Sequence, residues 1–398
     1  NLPFEEPLHA SLSEQNEAFH IYLSEHLELE QEPTILSNSN YFKNEQENIP
    51  LLDPTLPGVV VVGPWRGKSQ NLILYQQALR KWQSISNWPV FADPLSGICL
   101  DQPGLIGNWD LLLSFGLSIP EKGFQVLRLG PMPSSRSLED WLKTLGKGQV
   151  LITEGDSRNL DPLGLSSQWS KGFLVWLDNL RLDESFLGEI DKSESKELLN
   201  SWIKEDKKVQ LLLDKYLPLQ GSINEPALAH WLPRLLPSDL PIMLAASSPI
   251  RDWVSYAGKD CLSRRCFGFR GASGIDGTLS LGMGISLAVG PTILITGDLA
   301  LLHDTNGWLL AHFETTPLIV LVIDNGGGGI FKQLNLETES SETFQRLFSM
   351  PQSVDSLSLV SSHGIPYRQV SCLEDLQSSI EWSLLKSAPV LLRVCTNS

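Results

Sequence analysis

Two polar residues stand at the ends of apolar runs, 27 positions apart. PTILITG (291–297) leads into Asp298, and PLIVLVI (317–323) leads into Asp324-Asn325 and four glycines, 326–329. A loop, one helix and a second strand fit that interval, so both side chains are predicted at neighbouring strand tips of a βαβ unit. In open α/β sheets ligands gather beyond the carboxyl ends of the strands. A carboxylate from Asp298, an amide oxygen from Asn325 and a backbone carbonyl from Gly327 suit Mg²⁺, which takes oxygen ligands and commonly shares them with phosphate groups. Glycines let backbone approach a diphosphate closely, and helix N-termini offer unpaired N–H donors. The plainer reading, two tight turns after buried strands, gives no reason for the spacing.

The elements that must position these residues alternate along the chain. Strands are predicted at GVVVVG (58–63), PVFAD (89–93), FQVLRLG (124–130), QVLITE (149–154) and FLVWLD (173–178), with helices at 71–84, 108–116 and 137–145. A second series places strands at 241–246, 291–297, 317–323, 366–370 and 389–394, and helices at 276–289, 304–313, 338–348 and 373–386. Apolar strands alternating with helices indicate parallel sheets covered on both faces. The fold class read from this is α/β, with two doubly wound parallel-sheet domains. Residues 1–50 read as a linker, 51–190 as a central domain, 191–223 as a connecting helix with a solvated charged face, and 224–398 as the domain carrying the metal and diphosphate site. Asn224 is a good N-cap for the helix that opens that last unit.

Composition narrows the partners. The 398 residues carry a net charge of −16 and no run of Lys and Arg, which argues against nucleic acid. No apolar stretch approaches the ~18 residues of a membrane span. Five cysteines, Cys99, Cys261, Cys266, Cys372 and Cys395, show no zinc spacing and read as free thiols in a reducing, cytoplasmic setting. The opening NLPFEEPLHA is neither a signal nor a transit peptide and reads like the middle of a protein.

GD, an interval of this length and a closing Asn resemble the metal–diphosphate signature of thiamine diphosphate enzymes. Three further stretches, RGASGIDGTLSLGMGI (270–285), GDLALLHDTNGWLL (297–310) and DNGGGGIF (324–331), closely resemble the MenD family, the 2-succinyl-5-enolpyruvyl-6-hydroxy-3-cyclohexene-1-carboxylate synthases of menaquinone and phylloquinone biosynthesis. LPFEEPL at the start and DPLSG (93–97) look like the same family.

The resemblance implies thiamine diphosphate with Mg²⁺ or Mn²⁺ as cofactors, the metal held by Asp298, Asn325 and the carbonyl of Gly327. Ser273, Ile275 and Leu299 fall among the cofactor-binding positions, with Ile275 as the apolar support of the bent cofactor. Ser247 and Arg251, in SSPIRDW, and Arg270, in RGASG, match substrate-contact positions. Ile330, Phe331 and Leu334 look like an apolar wall, and Arg136 aligns with a basic contact position in the first domain. The implied reaction is a decarboxylating carboligation of 2-oxoglutarate with isochorismate by a homodimer or homotetramer. Both substrates are dicarboxylates, and a planar guanidinium grips a carboxylate with two parallel hydrogen bonds. An N-terminal domain that binds the aminopyrimidine, and supplies a glutamate, is expected before this chain, which alone is expected to be inactive.

Two other readings remain: a carboligase or decarboxylase of the acetolactate synthase kind, and a non-catalytic nucleotide-binding module, faintly indicated by GVVVVGPWRG (58–67). His303 and His312 read as structural. Three departures from the family pattern stand out: Asp324 where an Asn is common, Phe269 before RGASG, and Ala300 where a small hydroxyl residue is common.

Overall fold

The computed structural model describes residues 49–120, 123–180, 192–269, 274–312, 317–333 and 341–396. Its β-branched and apolar runs form two sheets. The first holds β1 (Gly58–Val62), β2 (Val90–Ala92), β3 (Gln125–Leu129), β4 (Gln149–Ile152) and β5 (Ser166–Trp169), in the order β2-β1-β3-β4-β5. The second holds β6 (Ile242–Leu244), β7 (Cys266–Gly268), β8 (Thr292–Gly297), β9 (Leu318–Asp324), β10 (Tyr367–Val370) and β11 (Val390–Cys395), in the order β10-β11-β9-β8-β6-β7. Every strand pairing in both is parallel. Parallel strands need covering on both faces, which is why β1 and β9 read as continuous apolar runs, not as alternations.

Buried side chains from both sheets share one apolar cluster. In it Trp82 meets Trp88 and Trp176 edge-on, with ring centroids 5.3 and 5.2 Å apart. Such aromatic pairs contribute about 0.5–1.5 kcal/mol each beyond the area they bury. The helix Ser193–Tyr216 exposes most of its charged residues and buries Leu199, Trp202 and Val209. Its Asp206 is buried too, and its carboxylate accepts from the N–H groups of Gly107 and Asn108, at 3.1 and 2.8 Å. That carboxylate therefore satisfies backbone donors just before the helix Trp109–Phe115.

Several elements depart from the sequence expectation. FLVWLD is helical, Phe173–Asn179, and the fifth strand is the polar segment Ser166–Trp169. Phe173, Trp176 and Leu177 are buried while Leu174 and Val175 are exposed, a helical period that a short apolar run conceals. The strand Cys266–Gly268 and the helices Ser248–Tyr256 and Ser356–Ser362 were not anticipated. The expected helix 304–313 is a 3₁₀ segment, Thr305–His312, preceded by the short helix Asp298–His303. Of the expected helix 338–348, residues 338–340 lie outside the described residues. The described part is the helix Ser341–Phe344 followed by a π-turn, Gln345–Ser349. The linker expected over 1–50 lies almost wholly outside the described residues.

Each sheet has one place where successive connections leave in opposite directions. In the second sheet it lies between β6 and β8, opening a crevice beyond their carboxyl ends. In the first it lies between β1 and β3, and there the loops press together: a Cβ on Gly63 would fall 1.6 Å from the carbonyl oxygen of Pro131. The cavity left at that point, beside Trp65, is about 10 Å³, roughly enough for one water. The nucleotide that the dinucleotide-like reading of 58–67 calls for does not fit at that point. A larger cavity of about 700 Å³ that also reaches Trp65 is lined by Leu72, Gln76, Cys99 and Arg264 instead of by the β1 and β3 tips.

Candidate functional site

The crevice between β6 and β8 holds a cavity of about 180 Å³. Its floor is the tip of β8 and β9, its sides the first residues after β6, and its far wall the loop after β9. Ser247, Ile275, Asp298, Leu299, Asn325, Gly327, Ile330 and Phe331 all line it. Residues separated by up to 84 positions thus converge through strand order alone.

Asp298 follows β8 directly and opens the helix Asp298–His303. Backbone N–H groups of Leu299, at 2.8 Å, and of Gly327 donate to its carboxylate. Gly327 lies after the neighbouring strand β9, so this bond ties the two strand tips together. Burial pushes the Asp298 carboxyl up to about 6, the two N–H donors oppose the rise, and the nearby Asp324 adds to it. The site therefore holds negative charge that a cation would relieve.

Asn325 presents its two amide atoms to different surroundings. Nδ2 donates to Glu225 Oε1 at 3.1 Å. Oδ1 is buried and has no hydrogen-bond partner among the described residues. An orphaned buried carbonyl oxygen costs about 1–3 kcal/mol, and a coordinated cation would satisfy it. Two positions on, only glycine fits at 327. Its φ is +133°, and an added Cβ would sit 2.1 Å from Ser349 O. The donor set of carboxylate, amide oxygen and glycine carbonyl could hold a hard, oxygen-seeking ion beside a diphosphate.

The remaining predicted residues divide by position. Ser247 sits between β6 and the helix Ser248–Tyr256 at φ +77°, a left-handed conformation that disfavours side chains. Arg251 lies one turn into that helix, exposed, with Nη1 donating to Ser247 O at 2.7 Å, and does not line the cavity. Arg136 is exposed at the start of the helix Arg136–Leu145 beside the first sheet, also away from the cavity lining. A carboxylate links the two arginine-bearing helices: Asp110 accepts from Ser135 Oγ, next to Arg136, and from Ser255 Oγ at 2.5 Å, one turn after Arg251. Arg270, Ser273 and Leu334 lie outside the described residues. His303 is exposed and pairs with Asp276 at 3.1 Å.

Of the departures noted in the sequence, Ala300 lines the cavity with no hydroxyl to offer, and Phe269 packs against the apolar cluster around Leu279 and Trp308. Asp324 is the consequential one. It accepts from Arg393 Nε at 2.6 Å and raises the Asp298 carboxyl, so it shapes the field at the site. Sequence reasoning also passed over Glu225, read only as part of a helix start, and Asp252, read only within a motif. Asp252 is pushed up to about 7 by burial and then by the charge of Glu225, and its Oδ2 has no partner among the described residues. Neither residue lines the cavity; Glu225 is tied to it through Asn325, a link across 100 positions that nothing in a single sequence marks.

The chain carries the cofactor-binding part of a thiamine diphosphate enzyme. Residues 259–394 match the family model described as "Thiamine pyrophosphate enzyme, C-terminal TPP binding domain". The whole chain is 56% identical, over 403 residues, to the 2-succinyl-5-enolpyruvyl-6-hydroxy-3-cyclohexene-1-carboxylate synthase of Prochlorococcus marinus (strain MIT 9313), of which it spans 69%. Proteins of the same name from Synechococcus sp. (strain CC9311) and Parasynechococcus marenigrum (strain WH8102) are each 50% identical over all of this chain, which spans 69% and 68% of them. The chain belongs to the 2-succinyl-5-enolpyruvyl-6-hydroxy-3-cyclohexene-1-carboxylate synthase family. No helix among the described residues is long and apolar enough to cross a membrane.

Proposed function

We propose that this chain supplies the metal and diphosphate half-site of a transferase that joins 2-oxoglutarate to isochorismate with loss of carbon dioxide, in menaquinone or phylloquinone biosynthesis. The observation that carries the reading is the cavity where Asp298 and Gly327 are tied together beside the orphaned Oδ1 of Asn325. Family membership names the reaction; this geometry supports the metal assignment.

Thiamine diphosphate, when bound, supplies the electron sink that makes decarboxylation of a 2-oxo acid feasible. The protein's part is anchoring and recognition. Asp298, Asn325 Oδ1 and the Gly327 carbonyl would hold Mg²⁺ or Mn²⁺, and through it the diphosphate. Ile275 would support the cofactor, Leu299 lines the same cavity, and Ser273 is the further cofactor position that the family likeness proposes. Ile330 and Phe331, together with Leu334 by family likeness, would keep water from the reacting carbons, where a dry wall strengthens each electrostatic contact. Ser247, Arg251, Arg270 and Arg136 would recognise substrate carboxylates. The Asp110 bridge between the two helices favours Arg136 and Arg251 acting on one ligand.

In this reading residues 51–190 form the central domain and 224–398 the diphosphate-binding domain, joined by the segment 191–223. Exposed Leu281, Leu287, Leu309 and Leu310 favour burial against another copy, in a homodimer or homotetramer. Five unpaired cysteines fit a reducing cytoplasm.

The test uses the full-length enzyme with Mg²⁺, thiamine diphosphate and isochorismate, offered 2-oxoglutarate or pyruvate, with products followed by mass spectrometry. An adduct of isochorismate with a succinyl unit, formed only from 2-oxoglutarate, is the expected result. Turnover of pyruvate alone would keep the cofactor and discard the substrate.

A further inference from the structure

We propose that Glu225 is a positioning residue for the metal site, fixing the Asn325 amide so that Oδ1 and not Nδ2 faces the cation. This rests on the metal assignment above and adds a residue that the assignment does not contain.

Glu225 opens the helix Glu225–Leu235, whose N-cap Asn224 accepts from the Ala227 N–H at 2.8 Å. Its Oε1 accepts from Asn325 Nδ2 and from Thr396 Oγ1, each at 3.1 Å. Asn325 follows β9 and Thr396 follows β11, and the two strands are neighbours. The Thr396 N–H in turn donates to Asp324 O at 3.0 Å. One carboxylate therefore spans two adjacent strand tips from a third element, 100 positions from Asn325 in sequence.

An ionised carboxylate only accepts hydrogen bonds, whereas an amide has one donating and one accepting side. Facing Glu225, the Asn325 amide must turn Nδ2 toward it and Oδ1 away. Oδ1 is the atom that stays buried without a partner among the described residues. The amide also lies close against the Gly329 backbone, where an added Cβ would fall 2.5 Å from Nδ2. Without Glu225 the amide would be free to reverse and aim a donor at the cation, which repels it. Outer partners of metal ligands act in this way, and their loss typically costs about 10–100-fold in metal affinity.

The test measures binding, not turnover, in the full-length enzyme: thiamine diphosphate is titrated at a series of Mg²⁺ concentrations, followed by quenching of tryptophan fluorescence. Glu225→Ala is expected to raise the half-saturating Mg²⁺ concentration about 10–100-fold. A residue swap separates positioning from general support. Asn325→Asp alone faces the Glu225 carboxylate with another carboxylate and is expected to bind Mg²⁺ poorly. Asn325→Asp with Glu225→Gln restores a donor–acceptor pair in the reverse sense and is expected to recover at least tenfold over Asn325→Asp. Half-saturation of Glu225→Ala within twofold of wild type, or a double variant no better than Asn325→Asp, overturns the proposal. The swap decides the matter even if Glu225→Ala does not fold. Wild-type binding with no Mg²⁺ dependence would instead sink the metal assignment, and this inference with it.

Discussion

Asp324 and Arg393 pair across adjacent strands, Oδ2 to Nε at 2.6 Å, directly behind the candidate metal site. Arg393 also reaches Asp355 Oδ1 at 3.0 Å, and Asp355 caps the helix Ser356–Ser362 through the N–H groups of Leu357 and Ser358. One guanidinium thus balances a carboxylate beside Asp298 and anchors a helix start. Removing it leaves Asp324 unpaired in a partly buried place. Arg393→Met is expected to lower stability by about 1–3 kcal/mol in denaturant unfolding. Adding Asp324→Asn should recover part of that loss, because the uncompensated charge is then gone. A double variant less stable than Arg393→Met would show that the pair does not act as described.

Gly326 and Gly327 should respond differently to the same change. Both have positive φ, but a Cβ on Gly326 meets open space while one on Gly327 meets Ser349 O at 2.1 Å. Gly326→Ala is expected to cost only the conformational penalty, about 1 kcal/mol. Gly327→Ala must also move the Gln345–Ser349 turn or the loop bearing Asn325, and should lose thiamine diphosphate binding as well as stability. Equal thermal shifts for the two variants would contradict this.

Ser247 holds a backbone conformation in which a side chain is strained, at φ +77°. Such residues cost about 1–3 kcal/mol and cluster at functional sites. Ser247→Gly is therefore expected to raise the melting temperature while lowering kcat/KM, since the hydroxyl in the cavity is lost. A glycine variant that is less stable than wild type would remove the argument that strain is stored here.

Asp161 lies far from the cavity and tests the first sheet. Its buried carboxylate accepts from Arg128 Nη1 at 2.7 Å and from Leu163, Leu165 and Ser166 backbone N–H groups at 2.7–3.1 Å. Burial opposes its ionisation, but the bonds from Arg128 and Ser166 and the Arg128 charge outweigh that and hold it well below the usual carboxylate range. A depressed folded-state pKa stabilises above the unfolded value, about 3.9, and that contribution fades as pH falls toward the folded value. Asp161→Asn, which leaves the Arg128 charge buried and unpaired, is expected to cost about 3–5 kcal/mol at neutral pH. The stability gap from wild type should narrow below about pH 4. A gap that stays constant down to pH 3 would contradict the assignment.

The cavity was legible in the sequence because Asp298 and Asn325 each terminate an apolar run, and parallel β8 and β9 leave their tips side by side. Ser247, Ile275, Ile330 and Phe331 were found through motif likeness, and the strand order brings them together. Arg251 and Arg136 were found in the same way, yet the chain by itself keeps both off the cavity wall. What stayed hidden is of two kinds. FLVWLD has strand-like residues, but its buried side depends on which face of the first sheet it covers, and that is a tertiary fact. Glu225 and Arg393 act through partners 100 and 69 positions away, across strand neighbours that no local pattern specifies.

The central claim is that Asp298 anchors the metal and, through it, the diphosphate. Calorimetry of thiamine diphosphate binding to wild type and Asp298→Ala, with Mg²⁺ and with a chelator, tests it most directly. Wild type should bind only with Mg²⁺, and the variant should show no metal-dependent heat while unfolding as cooperatively as wild type. A folded Asp298→Ala protein with wild-type affinity in Mg²⁺ would contradict the account.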